Sequence, residues 1–268
     1  MSGPFATRWA GELELWAIPE PILNQAPEPP WPLPAQLFQV DVAKPRPETP
    51  STRAARSALG DEGTVLDVGC GGGAASLPLA PWAGEITGVD QSPEMLVNFA
   101  TACDQAGVHH VEVEGLWPDA AAQAVVADVV VCHHVVYNVP QLGPFLEELT
   151  RHARRLVVVE LTDHHPTSGF NDLWQRFWDL SRPTGPVADL FVEVVRELGW
   201  NPTQERFRRS HEPRTMTKDD YLAFARRRLC LGADRDPELS EALGESWPLM
   251  VPGLVTVTWR PDQRRSGG

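Results

Sequence analysis

The sequence predicts an α/β protein built on a doubly wound parallel sheet. Residues 65–68 (Val-Leu-Asp-Val) form a short, mainly apolar run that leads directly into four glycines within five residues. Residues 86–89 (Ile-Thr-Gly-Val) form a second such run, and Asp90 follows it. Short apolar runs of this kind are typical of strands that are buried on both faces of a parallel sheet. Because they alternate with helical patterns, we expect helices on both sides of the sheet.

Hydrophobic spacing predicts the remaining elements. The later strands are predicted at residues 109–113, 125–132, 155–161, 203–209 and 254–259. Helices are predicted at residues 51–59, after Pro93, from about residue 142, at residues 170–178 and 187–198, and after Thr217. Gly60, Gly107 and Gly199 are expected to end three of these helices, because glycine readily adopts the left-handed backbone at a helix C-terminus.

The glycine-rich segment comprises Gly69, Gly71, Gly72 and Gly73. Glycine adopts left-handed conformations at no steric cost and lets backbone N–H groups approach a ligand closely. Residues 74–80 are predicted to start a helix, whose positive N-terminus would lie against the same loop. A nucleotide-like ligand fits this description, although dinucleotide sites and ordinary turns also use glycine.

Asp90 comes seventeen residues after Gly73. The carboxyl ends of neighbouring parallel strands meet at one edge of a sheet, so Asp90 is expected beside the glycine turn. A carboxylate in that position can accept hydrogen bonds from the two hydroxyls of a ribose. The helix that follows is predicted to have Ser92 as its N-cap, Pro93 at its first position and Glu94 in its first turn.

In this order and spacing, residues 65–73 and residues 88–95 (Gly-Val-Asp-Gln-Ser-Pro-Glu-Met) resemble the class I S-adenosylmethionine-dependent methyltransferases, in particular the branch that acts on small molecules. The resemblance extends from about residue 64 to residue 160. It implies a Rossmann-like sheet of seven strands whose last strand is antiparallel, and helical insertions that cover the active-site edge. It also implies S-adenosyl-L-methionine as the cofactor and a small-molecule methyl acceptor.

The resemblance also implies which residues contact the cofactor. The glycine loop would surround the methionine part, Asp90 would bind the ribose, and residues 114–117 would hold the adenine. Glu114 is expected against the adenine amino group, and Leu116 or Trp117 against the ring, with Trp117 able to stack on it. A surface glutamate and a core tryptophan are the alternatives. The predicted cofactor-binding residues are Asp67, Gly69, Cys70, Gly71, Gly73, Asp90, Gln91, Met95, Glu114, Gly115, Leu116, Trp117 and His133.

The resemblance places the reacting methyl group beside the end of the fourth strand. His133, His134 and Tyr137 follow that strand and are therefore the predicted catalytic residues. A histidine suits the removal of a proton from the acceptor, because its unperturbed pKa lies near neutral pH. Neighbouring residues on a strand face opposite ways, so both histidines cannot point at one atom unless the pair has already entered a loop or the start of a helix. The alternative is that one of them contacts the cofactor through its backbone while the other caps the next turn.

A second group of polar residues, Asp163, His164 and His165, follows the fifth strand and faces the same rim. Together with His133 and His134 it has the ligand types that zinc or iron prefers. Adjacent pairs lack the spacing that preorganises two ligands on one helix, and no cysteine completes a set. No metal is therefore expected; a substrate contact is favoured over a metal, and a solvated loop is favoured over both.

The ends of the chain and two internal segments depart from the minimal alternating pattern. Residues 1–50 are rich in proline and carry Trp9, Trp16 and Trp31, which predicts an arm packed on the body rather than a disordered tail. Residues 51–268 are predicted to form the class I methyltransferase domain. Helical insertions are expected at about residues 163–182 and 214–245, where an aromatic helix face could either wall the substrate or simply pack.

Composition limits the partners. The net charge of −13 argues against a nucleic acid, so the arginine runs at residues 206–209 and 226–228 are interpreted as solvated faces. The four cysteines are scattered, and no apolar run approaches the length of a membrane span. We therefore expect a cytoplasmic protein with reduced thiols and no membrane partner; the oligomeric state is not predicted.

Two alternatives to methyl transfer stay open from the sequence. A protein that binds S-adenosylmethionine or S-adenosylhomocysteine without transferring a methyl group would share the same motifs. An NAD-dependent oxidoreductase would also place an acid after the second strand. The position of Asp67 inside the first strand, and the Ser-Pro-Glu-Met sequence that follows Gln91, favour the methyltransferase over the oxidoreductase.

Overall fold

The computed structural model describes residues 3–32, 47–208, 217–244 and 253–264, and these form an α/β structure around one mixed sheet. The strands are β1 (Gly63–Val68), β2 (Ala83–Asp90), β3 (His109–Glu114), β4 (Ala127–His133), β5 (Ala153–Thr162), β6 (Thr203–Phe207) and β7 (Leu254–Trp259). The α-helices are α1 (Pro4–Glu14), α2 (Glu20–Leu23), α3 (Pro50–Leu59), α4 (Pro93–Ala106), α5 (Leu142–Arg151), α6 (Asn171–Trp178), α7 (Ala188–Glu197), α8 (Lys218–Arg228) and α9 (Asp236–Leu243).

The seven strands lie in the order β3-β2-β1-β4-β5-β7-β6. Strands β1 to β5 are parallel, whereas β7 pairs antiparallel with both β5 and β6. The predicted doubly wound sheet with an antiparallel last strand is therefore confirmed. The order changes direction between β1 and β4, and at such a switch point the loops on the carboxyl ends of the strands diverge and leave a crevice.

Local signals in the sequence explain several boundaries. The Ser92 hydroxyl accepts a hydrogen bond from the N–H of Met95, and Gly107 ends α4 in the left-handed conformation. Thr217 caps α8 in a reciprocal pair with Asp220. These caps lie at the positions that the sequence predicts.

The segment that follows the glycines differs from the prediction. Residues 74–80 do not start an α-helix, because only turns and a short 3₁₀ helix, Leu77–Leu79, connect β1 with β2. Pro78 and Pro81 account for this, since proline lacks an N–H and restricts the residue before it. The prediction of a helix N-terminus behind the glycine loop is thus wrong.

Apolar side chains fill both faces of the sheet. On one face, β1, β4 and β5 pack against α3 and α4, with Leu59, Ile86 and Phe99 completely enclosed. On the other face, α5 and α7 cover the sheet, and Phe145 and Phe191 are buried there. Both faces of the central strands are thus buried, which matches their nearly continuous apolar sequences.

The beginning of the chain is part of this packing. Trp9 on α1 is 0% exposed, and its Nε1–H donates to the carbonyl of Val139 at 3.0 Å. The N–H groups of Phe5 and Ala6 both donate to the Glu197 carboxylate, which suits the positive end of α1. Helix α1 therefore joins α7 to the turn that follows β4. Residues 1–2 and 33–46 of the predicted arm lie outside the described residues.

A third apolar cluster forms a cap of helices, which we define as the cluster of α6, α8 and α9 with Ile18 and Ile22. Arg226 pairs with Asp236 at 2.6 Å, while Arg227 and Arg228 donate to the carbonyls of Pro32 and Pro30. The interpretation of this arginine run as a solvated face is wrong, because Arg227 and Arg228 bind the early segment to α8 and Arg226 binds α9. None of the described helices is long and apolar enough to cross a membrane.

Candidate functional site

The glycine loop after β1 has the backbone that only glycine adopts readily. The φ angles of Gly69, Gly71 and Gly73 are +71°, +50° and +85°, all in the left-handed region. The N–H groups of Gly69 and Cys70 both donate to the carbonyl of Val89, at 2.8 and 3.1 Å. The loop therefore folds across the end of β2 rather than away from it.

Asp90 holds the ends of three strands together. Its Oδ2 accepts a hydrogen bond from the N–H of Gly71 at 2.9 Å, and its Oδ1 accepts one from the N–H of Ser92 at 2.9 Å. Its carbonyl accepts the N–H of Gly115 at 2.9 Å. The half-buried carboxylate thus lies against the glycine loop, as the sequence predicts, with β3 on its other side.

The exit of β3 presents a mixed surface next to Asp90. Glu114 pairs in register with Asp90 and is exposed, and Leu116 is 58% exposed. Trp117 is only 6% exposed, lies in the core, and donates its Nε1–H to the carbonyl of Phe145. Stacking of Trp117 on a purine is therefore a wrong prediction, because α5 already covers its indole. Leu116 remains as the apolar side chain that this exit offers to a ring.

Asp67 is completely buried beneath the glycine loop. Its Oδ2 accepts a hydrogen bond from the Ser76 hydroxyl at 2.6 Å, whereas its Oδ1 has no hydrogen-bond partner among the residues that the structure describes. Burial raises the pKa of this carboxyl to about 7, and the charge of Asp90 acts in the same direction, against the hydrogen bond from Ser76. An orphaned buried oxygen of this kind suits a polar group of a bound ligand.

The other predicted cofactor residues at this end differ in exposure. The Cys70 side chain is buried, and burial raises the pKa of its thiol far above the ordinary value, so it is a packing residue and not a nucleophile. Gln91 is exposed and Met95 half-buried at the start of α4. Both therefore border the loop without entering the core.

The end of β4 lies beside the glycine loop. Asp67 on β1 pairs with Val131 on β4, so His133, two residues further on, falls level with Gly69. A Cβ atom at Gly69 would lie 2.3 Å from Cγ2 of Val135, which shows how closely the two loops pack. The structure therefore brings the predicted catalytic segment against the predicted cofactor loop.

His134 occupies an unusual position at this edge. Its φ angle is +61°, its N–H donates to the carbonyl of Glu160 at 2.8 Å, and its Nε2 lies 3.3 Å from Oε1 of Glu160. Its side chain is 40% exposed. His133 points to the same sheet face as Glu160, its partner in the register, and its Nε2 is enclosed by the protein.

Sequence reasoning does not identify Glu160. This residue lies in β5 and is 0% exposed, although it carries a carboxylate. Its Oε2 accepts a hydrogen bond from the Ser51 hydroxyl at 2.6 Å, and that hydroxyl lies 2.6 Å from Oγ1 of Thr256. The sequence signal that could have identified it is that Glu160 is the one charged residue in the mainly apolar second half of β5. Its partners on α3 and β7 are more than ninety residues away in sequence, so only the fold connects them.

Tyr137 is buried in the turn that follows β4. Its phenolic oxygen accepts hydrogen bonds from the N–H and the hydroxyl of Thr162, and burial raises its pKa above the ordinary value. Through these hydrogen bonds Tyr137 connects this turn to β5. Its phenol is not ionised near neutral pH.

The polar residues after β5 separate from one another. Asp163 pairs with Arg206 at 3.1 Å, and the ring of His165 stacks on Trp16 at a centroid distance of 4.0 Å. His164 is exposed. Within the part of the chain that the structure describes, no three histidine, cysteine, aspartate or glutamate side chains are gathered as a metal site would require.

Comparison with known proteins agrees with this geometry. Residues 66–157 match the family model described as a methyltransferase domain. This domain includes the glycine loop, Asp90, the exit of β3 and the end of β4, so the candidate site lies within it.

Two curated relatives are similar to parts of the chain. The ubiquinone biosynthesis O-methyltransferase of Azorhizobium caulinodans is 38% identical over 82 residues, which are 31% of this chain and 32% of that protein. The uncharacterized methyltransferase YcgJ of Bacillus subtilis is 25% identical over 169 residues, 61% of this chain and 58% of the relative. The chain thus matches about a third to three-fifths of the length of these relatives.

Solved structures extend the likeness beyond the matched segment to most of the chain. The YcgJ structure from Bacillus subtilis superposes with a TM-score of 0.54 at 14% identity, over 81% of this chain and 98% of that one. A putative sarcosine dimethylglycine methyltransferase from Galdieria sulphuraria gives 0.51 at 16% identity, over 80% and 84%. At such identities the likeness shows the Rossmann-like methyltransferase fold alone.

Proposed function

We propose that this protein transfers a methyl group from S-adenosyl-L-methionine to a small-molecule acceptor. One observation carries the proposal: the Asp90 carboxylate lies 2.9 Å from the N–H of Gly71, at the carboxyl ends of β1 and β2. This contact supports a site in which Asp90, as the ribose acceptor, and the loop of left-handed glycines lie side by side at one edge of the sheet. The match of residues 66–157 to a methyltransferase domain supports the choice of S-adenosylmethionine over a nicotinamide nucleotide.

Each part of the cofactor has a proposed partner. The backbone of Gly69, Gly71 and Gly73 and the orphaned oxygen of Asp67 receive the methionine part, and Asp90 receives the ribose hydroxyls. The exit of β3 receives the adenine, with exposed Glu114 for the amino group and exposed Leu116 for the ring. When bound, S-adenosylmethionine supplies an electrophilic methyl group, and the protein's contribution is to position the acceptor against it.

The acceptor is proposed to be a small molecule methylated on oxygen. Relatives named as O-methyltransferases support an oxygen acceptor, and the net charge of −13 disfavours nucleic acid. The aromatic rings of Trp16, Tyr137 and His165 lie together beyond the ends of β4 and β5 and suit an apolar or aromatic acceptor. Because the four cysteines are free thiols, the cytoplasm is the proposed location.

The test is isothermal titration with S-adenosylhomocysteine. Asp90→Ala removes the ribose acceptor and the partner of the Gly71 N–H, so we expect binding about 100-fold weaker, the equivalent of two charge-assisted hydrogen bonds of ~1.5 kcal/mol each. The matched control is Glu85→Ala, on the same strand at its opposite end, and its affinity should equal that of the wild type.

Three outcomes would contradict the proposal in different ways. Equal affinity of Asp90→Ala and the wild type would remove the ribose assignment. Binding of NADH in place of S-adenosylhomocysteine would favour an oxidoreductase. Tight binding without methyl transfer to any member of a broad acceptor library would favour a binding protein without transfer activity.

A further inference from the structure

We propose that His134 removes the proton from the methyl acceptor, that Glu160 is its positioning residue, and that the acceptors are small molecules whose nucleophilic atom carries a dissociable proton, such as phenols. This inference rests on the proposed function and specifies the substrate class of the same site. It is carried by one connected group, the carboxylate group, which we define as His134, Glu160, Ser51 and Thr256.

The position of His134 is the first argument. In the register of β1 with β4, His134 falls one residue beyond the level of Gly69, and Val135 packs directly on Gly69. The imidazole is 40% exposed, so a ligand can reach it. The enclosed Nε2 of His133 and the buried phenol of Tyr137 offer no comparable access.

The backbone at His134 is the second argument. Its φ of +61° lies in the left-handed region, which costs a residue with a Cβ about 1 kcal/mol or more. Glycine would relieve that cost, yet a histidine occupies the position. The hydrogen bond from its N–H to the Glu160 carbonyl holds the strained backbone in place.

The fixed orientation of the Glu160 carboxylate is the third argument. One oxygen, Oε2, accepts the hydrogen bond from Ser51 on α3, and Ser51 in turn contacts Thr256 on β7. The other oxygen, Oε1, lies 3.3 Å from Nε2 of His134. A carboxylate with 0% exposure cannot swing away, so it gives the ring a fixed neighbour on that side.

The arrangement determines which ring nitrogen is available. Because Nε2 is the ring nitrogen nearer the carboxylate, at 3.3 Å from Oε1, we assign the proton of the neutral ring to Nε2, which leaves the lone pair on Nδ1, facing away from Glu160. When Nδ1 takes up a proton, both ring nitrogens become donors, and Nε2–H remains beside Oε1 of Glu160. Glu160 acts through His134 and does not itself touch the acceptor in this scheme.

The proposed step conserves atoms and electrons. The acceptor oxygen forms the new bond to the methyl carbon, the carbon–sulfur bond breaks with its electron pair left on sulfur, and the acceptor proton passes to Nδ1 of His134. The products are the methyl ether, S-adenosylhomocysteine and an imidazolium that releases its proton to water. An acceptor that is already ionised at neutral pH would gain much less from the histidine.

The first test needs no turnover. In protein labelled with ¹⁵N-histidine, nitrogen chemical shifts report which ring nitrogen carries the proton. We expect the Nε2–H form at His134 in the wild type and a mixture of both forms in Glu160→Gln. Ser51→Ala, which frees the carboxylate without touching the ring, should give a smaller shift in the same direction and serves if Glu160→Gln fails to fold.

The second test compares two acceptors, 3,4-dihydroxybenzoate and thiophenolate. Asparagine tolerates the left-handed backbone, so His134→Asn removes the base with little strain. We expect kcat for the phenol to fall about 100-fold or more, and at least tenfold less loss for the thiolate, which has no proton to give up. Glu160→Gln should show the same pattern with a smaller loss, and Glu160→Asp should recover part of it. His109→Asn, on the exposed part of β3, is the matched control.

The outcomes separate this inference from the proposed function. Equal losses on the phenol and the thiolate, or an unchanged tautomer in both Glu160→Gln and Ser51→Ala, would overturn the roles of His134 and Glu160. Binding of S-adenosylhomocysteine without transfer to 3,4-dihydroxybenzoate would overturn the acceptor class alone. Absence of S-adenosylhomocysteine binding in the wild type would overturn the proposed function itself.

Discussion

The two ends of the candidate site are built in different ways. The cofactor end, at β1 and β2, consists of backbone groups and one carboxylate that come from residues 67–92, with the Gly71 N–H held by Asp90. The acceptor end, at β4 and β5, consists of side chains from separate parts of the chain: His134, Glu160, Ser51 and Thr256. Trp9 on α1 reaches the same region through the carbonyl of Val139.

This difference shows which part of the molecule tolerates change. A glycine loop depends on φ angles and close approach, so its requirements are local and sharply defined. The acceptor end depends on packing among elements that meet only after folding. Substitutions far away in sequence, on α1 or in the cap of helices, should therefore disturb the acceptor end first.

The largest expected effect tests that dependence. Trp9→Ala removes an indole with 0% exposure that packs on Phe191 and donates to Val139, so the free energy of unfolding should fall by about 3–5 kcal/mol. Urea unfolding followed by circular dichroism measures it. Trp31→Ala, at a side chain that is 54% exposed, is the control and should change stability by less than about 0.5 kcal/mol. A loss below about 1 kcal/mol in Trp9→Ala would mean that α1 does not support the acceptor end.

The second prediction concerns the cofactor end alone. Gly69→Ala forces a left-handed alanine and places its Cβ 2.3 Å from Val135, so the loop must shift and S-adenosylhomocysteine should bind about 100-fold more weakly. Gly107→Ala is the matched control, because its φ is +69° but no atom lies within 4 Å of the added Cβ. That control carries the same backbone strain and should lose about 1 kcal/mol of stability with unchanged binding. If both variants bind S-adenosylhomocysteine equally well, the close packing of the glycine loop on Val135 does not affect cofactor binding.

The smallest expected effect concerns pH and the stack of His165 on Trp16. Burial, together with the charges of Arg228 and Arg182, lowers the pKa of His165 from 6.5 to about 3. Below pH 6.5 His165 binds a proton in the unfolded chain but stays neutral in the folded chain. The free energy of unfolding therefore falls as the pH drops from 6.5 toward 3. Between pH 7.5 and pH 5 the free energy of unfolding should therefore fall by roughly 1–2 kcal/mol less in His165→Gln than in the wild type.

Thermal unfolding at the two pH values, followed by tryptophan fluorescence, measures this difference. His109→Gln, at an exposed histidine on β3, is the control and should retain the pH dependence of the wild type. Identical pH dependence in His165→Gln and the wild type would show that the ring is not held neutral in the folded protein.

Much of the fold could be predicted because its signals are local. β7 begins and ends at the predicted residues, and β3, β4 and β5 lie within two residues of theirs at each end. The helix predicted after Gly73 failed because Pro78 and Pro81 outweigh a favourable apolar pattern. The predicted stacking of Trp117 was wrong for another reason. Its indole packs in the core because α5 covers it, and the sequence around Trp117 does not show where α5 lies.

The sequence by itself determined the parallel sheet, the glycine turn and the acid beside it, because each follows from backbone geometry within a few residues. Only the tertiary structure decided which side chains meet at the acceptor edge: the partner of His134, the burial of Tyr137 and the attachment of α1 near β4. The physical reason is that burial and orientation of a side chain are set by elements that are distant along the chain. Their contact energies exist only once the sheet has assembled.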